Sequence, residues 1–401
     1  MLIKKILHCY ITLAFIFILM LKTGCQPDNK IIPGAERIDA YSHLVEGKKL
    51  GIVANQTSLI GQTHLVDSLL SLGIEITMIF SPEHGFRGDQ DDGALIQNEI
   101  DHRTGIPVKS LYQESKKPDP DDFYNIDLVL FDIQDVGTRF YTYISTLHYM
   151  MMACAENNTG LIVLDRPNPN GFYIDGPILE PAFRSFVGMH EVPIVYGMTI
   201  GEYALMINGE GWLGNDLKCD LEVITCQNYD HNSKYQLPVK PSPNLPNMNS
   251  IYLYPSTCLF EGTVISEGRG TDFPFEVFGH PDLQNCSFTF IPESKPGAAT
   301  NPKLLGKKCY GVDLRKYREL GDERPGRIDL SWLLFAYNNF PDKENFFTDY
   351  FEKLAGTASL RTRIIKGMTE QEIRETWKDG LKDFQKTRKK YLLYPDFDIS
   401  P

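Results

Sequence analysis

Four apolar stretches of this chain end abruptly in polar, chemically capable residues, and that pattern leaves few folds open. Leu50 to Val53 runs into Asn55-Gln56, and Ile74 to Phe80 into Ser81-Pro82-Glu83-His84-Gly85. Asp127 to Phe131 leads into Asp132-Ile133-Gln134-Asp135, and Leu161 to Leu164 into Asp165-Arg166-Pro167-Asn168. Strands of this kind that alternate with helices form a parallel sheet, and ligands bind in the crevice beyond its carboxyl edge. Several carboxylates are therefore expected to converge on one cleft.

The alternation is readable from Lys49. Lys49 to Ala54 reads as a strand, Thr63 to Leu72 as a helix with apolar residues at helical spacing, and Ile74 to Phe80 as a second strand. Ile126 to Asp132 and Leu161 to Asp165 supply two more, with Arg139 to Glu156 long and apolar enough for a crossover helix. The expected fold class is α/β: a Rossmann-like parallel sheet domain over residues 37–250, a second, smaller α/β domain over 251–401, and a cleft between them. Pro238 to Pro246 carries four prolines and Asn244, which suits an ordered loop or an interdomain connection. Tyr252 to Asp272 reads as short strands and a Gly-rich loop, and Ser331 to Tyr391 as mainly helical.

Three ligand classes are disfavoured. A formal charge of −12 lacks the basic face that phosphates attract, so no nucleic-acid partner is expected. No Gly-x-Gly-x-x-Gly follows the first strand and no Gly-Lys-Ser/Thr loop occurs, which disfavours a nucleotide cofactor. His43, His64, His84, His102 and His148 have no metal-ligand spacing, so no metal or other cofactor is expected. A Gly-x-Ser-x-Gly elbow is also absent, which argues against a serine esterase.

At the start, Lys4 and Lys5 precede the apolar run Ile6 to Leu21, which closes on Thr23-Gly24-Cys25. This resembles a bacterial lipoprotein signal over residues 1–24, with Cys25 lipidated and residues 25–36 a tether; Lys22 stands where an aliphatic residue is usual. The expectation is an exported protein of the periplasm or outer envelope, anchored to a membrane through lipid. Cys154, Cys219, Cys226, Cys258, Cys286 and Cys309 match neither a small disulfide framework nor a zinc motif, and Cys154 reads as a buried thiol.

The motifs occur in a fixed order along the chain. Ser81-Pro82-Glu83-His84-Gly85-Phe86-Arg87-Gly88 comes first, then Phe131 to Gly137 with Arg139-Phe140-Tyr141-Thr142-Tyr143, then Leu164-Asp165-Arg166-Pro167-Asn168-Pro169. Pro241-Ser242-Pro243-Asn244, Glu261-Gly262-Thr263 with Ser266-Glu267-Gly268-Arg269-Gly270-Thr271, and the closing Tyr391-Leu392-Leu393-Tyr394 complete the set. Together they resemble the exo-β-N-acetylmuramidase family of NamZ type, across nearly the whole mature chain. The resemblance implies a Rossmann-like domain and a smaller auxiliary domain around a cleft. It also implies exo-acting release of N-acetylmuramic acid from the non-reducing end of peptidoglycan fragments, and a catalytic glutamate at Glu83.

The residue chemistry can be weighed beside that resemblance. Glycoside cleavage needs an acid for the leaving oxygen and usually a second carboxylate for the sugar. Glu83, just past a strand end among Pro, Phe and Gly, is the leading acid, with a helix- or turn-capping carboxylate as the plain alternative. Asp132 and Asp135 are the leading second carboxylates, unless one of them pairs with Arg139. A 2-acetamido group that attacks in their place would leave Asp132 or Asp135 to polarise it. The lactyl carboxylate of N-acetylmuramic acid calls for an arginine, and Arg87, Arg139, Arg166 and Arg269 are the candidates. His84, Gln134, Tyr141, Asp165, Asn168, Asn244 and Glu267 complete the substrate-binding candidates. Asp165-Arg166 could instead brace its loop, and Glu267-Arg269 could be a surface ion pair. The expected partners are peptidoglycan-derived saccharides such as the N-acetylmuramic acid–N-acetylglucosamine disaccharide. The rival function is a lipoprotein that captures muropeptides without cleaving them.

Overall fold

Runs of Val, Leu, Ile and Phe can be buried on both faces of a sheet only if helices cover both sides. The computed structural model describes residues 30–82, 85–86, 99–112, 116–317 and 326–397. Its first part contains α1 (Ile38–Val45), β1 (Lys49–Ala54), the short hairpin β2 (Leu59–Ile60) and β3 (Thr63–His64), α2 (Leu65–Ser71), β4 (Glu75–Ser81), β5 (Glu99–Ile100) and β6 (Pro107–Ser110). It continues through β7 (Leu128–Asp132), α3 (Tyr143–Glu156), β8 (Gly160–Leu164), α4 (Ile200–Gly209) and β9 (Leu221–Ile224).

These strands form a seven-stranded sheet in the order β5-β6-β4-β1-β7-β8-β9, parallel except for the edge pair β5–β6. The Rossmann-like expectation holds. Val53 lies beside Phe80 on one side and Phe131 on the other, so β1, β4 and β7 end level with one another. The chain leaves β1 in one direction and later returns to its other side through β7. That is the switch point at which a crevice opens beyond the carboxyl edge.

Alternation along each strand sorts the two faces. Leu50, Ile52, Ala54, Ile79 and Leu130 pack with Tyr41 of α1 and Leu65 and Leu69 of α2. Val53, Phe80, Val129, Phe131 and Val163 pack with Ile144, Leu147 and Met151 of α3. Helix α3 is buried around almost its whole circumference, as its apolar sequence requires. Arg139, expected within this segment, precedes the helix by four residues.

The second part holds α5 (Met248–Thr257), a three-stranded antiparallel sheet of β10 (Val277–His280), β11 (Phe288–Phe290) and β12 (Cys309–Asp313), and the helices α6 (Ser331–Asn339), α7 (Phe351–Ala355), α8 (Ser359–Ile365), α9 (Glu370–Glu375) and α10 (Lys378–Arg388). The short strands expected over Tyr252 to Phe260 are instead α5 and a following 3-10 turn, Cys258–Gly262. Pro255 hides the helix in the sequence. A capping box between Asn247 and Ser250 starts it, and burial of Ile251 to Thr257 outweighs the proline.

Two segments depart from the expected divisions. Where a tether was expected, Ile32 pairs with Gln227, Gly34 N–H donates to the Asp165 carbonyl at 2.8 Å, and Ala35 is fully buried. At the other end, the chain after α10 returns to the first part. Arg388 donates to the Gly197 carbonyl, and Tyr394 accepts from Cys226 N–H at 2.8 Å. The six cysteines from Cys154 onward are free thiols, and Cys154 is buried.

Candidate active site

The polar strand ends do converge, but largely on one another. Asp132 closes β7 with no exposed surface. Arg166, at the end of β8, grips it with two parallel hydrogen bonds, Nε to Oδ1 at 2.6 Å and Nη2 to Oδ2 at 2.8 Å. Burial pushes the Asp132 carboxyl up and Arg166 opposes that. Two N–H donors on two oxygens need an ionised carboxylate, so the pair is read as charged. Arg166 thus pairs with Asp132 and not with its neighbour Asp165.

Asp135 lies deeper in the loop, where Oδ2 accepts from Gly137 N–H at 2.7 Å and from the Tyr196 hydroxyl. Burial raises its carboxyl to about 6 against these bonds. Gly137 has φ +78, and a Cβ there would meet Asn168 Oδ1 at 2.3 Å. Asn168 donates to the Met198 carbonyl, and Gln134 to the carbonyls of Asp135 and Pro167. Asp165 caps α4, accepting from Thr199 Oγ1 at 2.7 Å and Gly201 N–H at 2.8 Å, and it also accepts from Tyr394. Burial pushes it up to about 6. Asp132, Gln134, Asp135, Asp165, Arg166 and Asn168 therefore interlock the loops beneath the crevice.

Arg139 pairs with neither aspartate. Its fully buried guanidinium donates to four carbonyls: Pro177 at 2.8 Å and Val192 at 2.7 Å in the first part, Leu354 at 3.0 Å and Ala355 at 2.8 Å in the second. The last two are at the C-terminus of α7, where carbonyls lack intrahelical partners. Burial lowers Arg139 to about 9, which leaves it protonated at neutral pH. It clasps the two parts together.

The cleft itself opens between the parts, above these loops, with a volume of about 190 Å³. Tyr112 follows β6, and Phe140, Tyr141 and Tyr143 lie between β7 and the first turn of α3. From the second part come Tyr254, Glu261, Arg269, Phe275 and Tyr350. The rings brace one another edge to face, Tyr141 with Tyr143 at 4.8 Å and Tyr254 with Phe275 at 4.9 Å. The proline loop forms part of the lining through Ser242, Asn244 and Leu245. Tyr141 donates to its Pro241 carbonyl at 2.8 Å, and Asn244 donates to the Ala298 carbonyl at 2.9 Å.

Arg269 is the candidate arginine that lines the cleft among the described residues. Glu261 Oε1 accepts from its Nε and Nη2 at 3.1 and 2.7 Å, and the guanidinium lies 5.1 Å from the Phe275 ring centre. Glu267 is buried behind it, 3.2 Å from Lys303 and 3.6 Å from Arg269. Glu83, His84, Arg87 and Cys25 lie outside the described residues. Ser81, two residues before Glu83, accepts from Leu111 N–H at 2.8 Å, next to the cleft residue Tyr112.

Residues 50–249 match the N-terminal domain of exo-β-N-acetylmuramidase NamZ, and residues 252–394 match its C-terminal domain. The chain belongs to this family. It is 38% identical to the peptidoglycan β-N-acetylmuramidase NamZ of Bacillus subtilis (strain 168), over 98% of this chain and all of the relative. Membership makes the chain a glycoside hydrolase of the exo-β-N-acetylmuramidase kind. Two crystal structures of DUF1343 family proteins from Bacteroides fragilis are similar in fold. One has a TM-score of 0.84 at 46% identity, covering 92% of this chain and 99% of that chain. The other has a TM-score of 0.78 at 28% identity, covering 92% and 100%.

Glu261 and the rings Tyr112, Phe140, Tyr254, Phe275 and Tyr350 were missing from the expected site. Glu261-Gly262-Thr263 was visible as a motif. The rings carried no signal that separates a cleft wall from a core.

Proposed function

We propose that this protein is an exported, lipid-anchored exo-glycosidase that removes β-1,4-linked N-acetylmuramic acid from the non-reducing end of peptidoglycan fragments. The observation that carries the reading is the small aromatic cleft with Arg269 in its wall. A cavity of roughly 150 Å³ takes up benzene, so about 190 Å³ is on the scale of one ring, which favours a terminal sugar over a mid-chain one. Aromatic walls suit the apolar faces of a pyranose. A guanidinium recognises the lactyl carboxylate that sets N-acetylmuramic acid apart from N-acetylglucosamine.

Glu83 is assigned the general acid, since it follows the end of β4, whose last residue is hydrogen-bonded to the segment leading into Tyr112. Such a donor contributes roughly 10² to 10⁴ in rate. Asp132 and Asp135 are held in the loop network beneath the cleft, and we assign them to positioning. Glu261 is the carboxylate lining the cleft among the described residues. It therefore becomes the candidate to face the positive charge that builds on the ring, directly or by polarising the 2-acetamido group. The signal-like residues 1–24 and Cys25 support export and anchoring in the envelope.

The test compares p-nitrophenyl β-N-acetylmuraminide with the N-acetylglucosaminide for wild type, Glu83→Gln and Arg269→Ala. Expected are muraminide-selective cleavage, a drop of about 10² or more in Glu83→Gln, and loss of selectivity in Arg269→Ala. Folded wild-type protein that binds the muraminide without cleaving it would overturn the enzyme reading in favour of muropeptide capture.

A further inference from the structure

A second, larger cavity of about 620 Å³ adjoins the cleft, and Phe186 lines both. Its walls combine three aromatic residues with basic groups. Tyr149 stacks on Phe186 with ring centres 6.3 Å apart, and the Lys116 ammonium sits 4.1 Å above the Phe186 ring. Among the described residues Lys116 has no carboxylate partner, whereas Arg184 at the same rim is paired with Glu191 at 2.6 Å.

Behind the rim lies a buried polar chain that the proposed chemistry does not use. The Tyr203 hydroxyl is hydrogen-bonded to His190 Nδ1 at 3.0 Å, and His190 Nε2 to His148 Nδ1 at 3.0 Å. Trp212 stacks on His190 at 4.6 Å with the planes 15° apart. Burial lowers His148 to about 4 and holds His190 well below the usual histidine range, so both rings are neutral at neutral pH. His148 lines the cavity and is 96% buried, and its Nε2 has no hydrogen-bond partner among the described residues. A ring fixed through Nδ1, with Nε2 left over at a cavity wall, is placed to hydrogen-bond a ligand.

We infer that this cavity is a second saccharide subsite, which holds an acidic N-acetylated sugar further along the glycan chain whose terminal residue occupies the first cleft. Phe186 supplies the continuity, because a chain that leaves the first cleft past this ring enters the second cavity. The aromatic walls match pyranose faces, the His148 imidazole matches a hydroxyl or acetamido group, and Lys116 matches a lactyl carboxylate. In an acidic protein, a lysine over an aromatic ring that has no carboxylate partner among the described residues is suited to an anionic sugar rather than a neutral one. The assignment rests on the proposed exo-glycosidase reading for the direction of the chain, not for the cavity's chemistry.

The test uses peptide-free substrates with N-acetylmuramic acid at the non-reducing end. kcat/KM is measured for the disaccharide and the tetrasaccharide with wild type, Trp212→Ala and Lys116→Gln, and tetrasaccharide Kd is measured by calorimetry. Wild type is expected to prefer the tetrasaccharide about tenfold. Lys116→Gln, which changes only a rim side chain, should bring that ratio toward one while leaving the disaccharide rate unchanged, and Trp212→Ala should do the same if it folds. Equal rates for both lengths in wild type, or a preference that Lys116→Gln leaves intact, would overturn the subsite. A length preference that appears only with stem peptide attached would assign the cavity to peptide and also overturn it. If no substrate is cleaved, the exo-glycosidase reading fails. Calorimetry then decides the subsite alone: about tenfold weaker tetrasaccharide binding in Lys116→Gln supports it, and unchanged binding refutes it.

Discussion

Replacing Arg139 by Met separates a clasp from a substrate-binding arginine. Methionine keeps much of the buried stem but removes a charged donor that serves four carbonyls. The Val192 carbonyl would still accept from Leu179 N–H at 3.1 Å. The carbonyls of Pro177, Leu354 and Ala355 would lose the donor that Arg139 provides. A buried acceptor stranded in this way costs about 1–3 kcal/mol. With partial relaxation, three of them give about 4 kcal/mol, within the ~3–5 kcal/mol seen when a buried charged interaction is broken. An unfolding entropy of ~2.1 cal/mol/K per residue over the roughly 340 described residues converts this to a fall in Tm of about 5–6 °C. Arg139→Lys keeps the charge but cannot span acceptors on both parts of the molecule, so it should fall in between. The assay is thermal unfolding by circular dichroism, run beside kinetics on the muraminide and the glucosaminide. A Tm shift below about 1 °C, together with a loss confined to the muraminide, would refute the clasp and return Arg139 to the lactyl carboxylate.

Three further outcomes follow from the same network. Asp132→Ala leaves Arg166 charged and buried, so it should cost about 3–5 kcal/mol in urea unfolding; adding Arg166→Met should cost less than the sum of the two, and simple additivity would deny the pairing. Asp135 has a folded pKa raised from 3.8 to about 6, so the unfolded chain releases this proton first and stability falls as pH rises from about 4 to 6, by ~3 kcal/mol at 1.36 kcal/mol per unit. Above pH 6 that contribution is flat, and Asp135→Asn should remove this share of the fall while keeping the fold and leaving the share from Asp165; an unchanged slope of Tm against pH would refute it. Gly356 has φ +76, and a Cβ there would lie 2.5 Å from Arg139 Nη2, so Gly356→Ala should cost ~1–2 kcal/mol or more from backbone strain alone, and less when Arg139 is already Met.

The sheet was legible in the sequence because burial on both faces leaves unbroken apolar runs. Lys49–Ala54 is recovered to the residue, and the other three runs to within about two residues of the observed bounds. The edge strands β5 and β9, and β6 next to β5, are short and partly exposed, and they give no such run. Helix α5 was obscured by Pro255. The C-terminal return was beyond reach for a different reason: whether Tyr394 touches Asp165 is a contact across 229 residues, and periodicity reports only local structure. The strand-end carboxylates were placed at the right edge of the sheet. Their partners were not legible, since nothing in Asp132 or Arg166 alone announces a bidentate pair.

That distinction also explains how the candidate site is built. The polar residues closing β7 and β8 interlock the loops beneath the crevice, while the groups facing it come from loops and from the second part. Cleft width therefore depends on how the parts are held relative to each other. Tyr350 lies one residue before α7, and the carbonyls of Leu354 and Ala355 at the end of that helix are fixed by Arg139. The turn Cys258–Gly262, which carries Glu261, packs against the same helix, where a Cβ on Gly262 would meet the Phe351 backbone at 2.4 Å. A loosened clasp should therefore move Tyr350, Glu261 and Arg269 together. Arg139→Lys, if folded, should then raise KM for the muraminide and the glucosaminide by the same factor. Equal loss for both sugars marks altered cleft geometry, whereas loss of a carboxylate contact would penalise the muraminide alone.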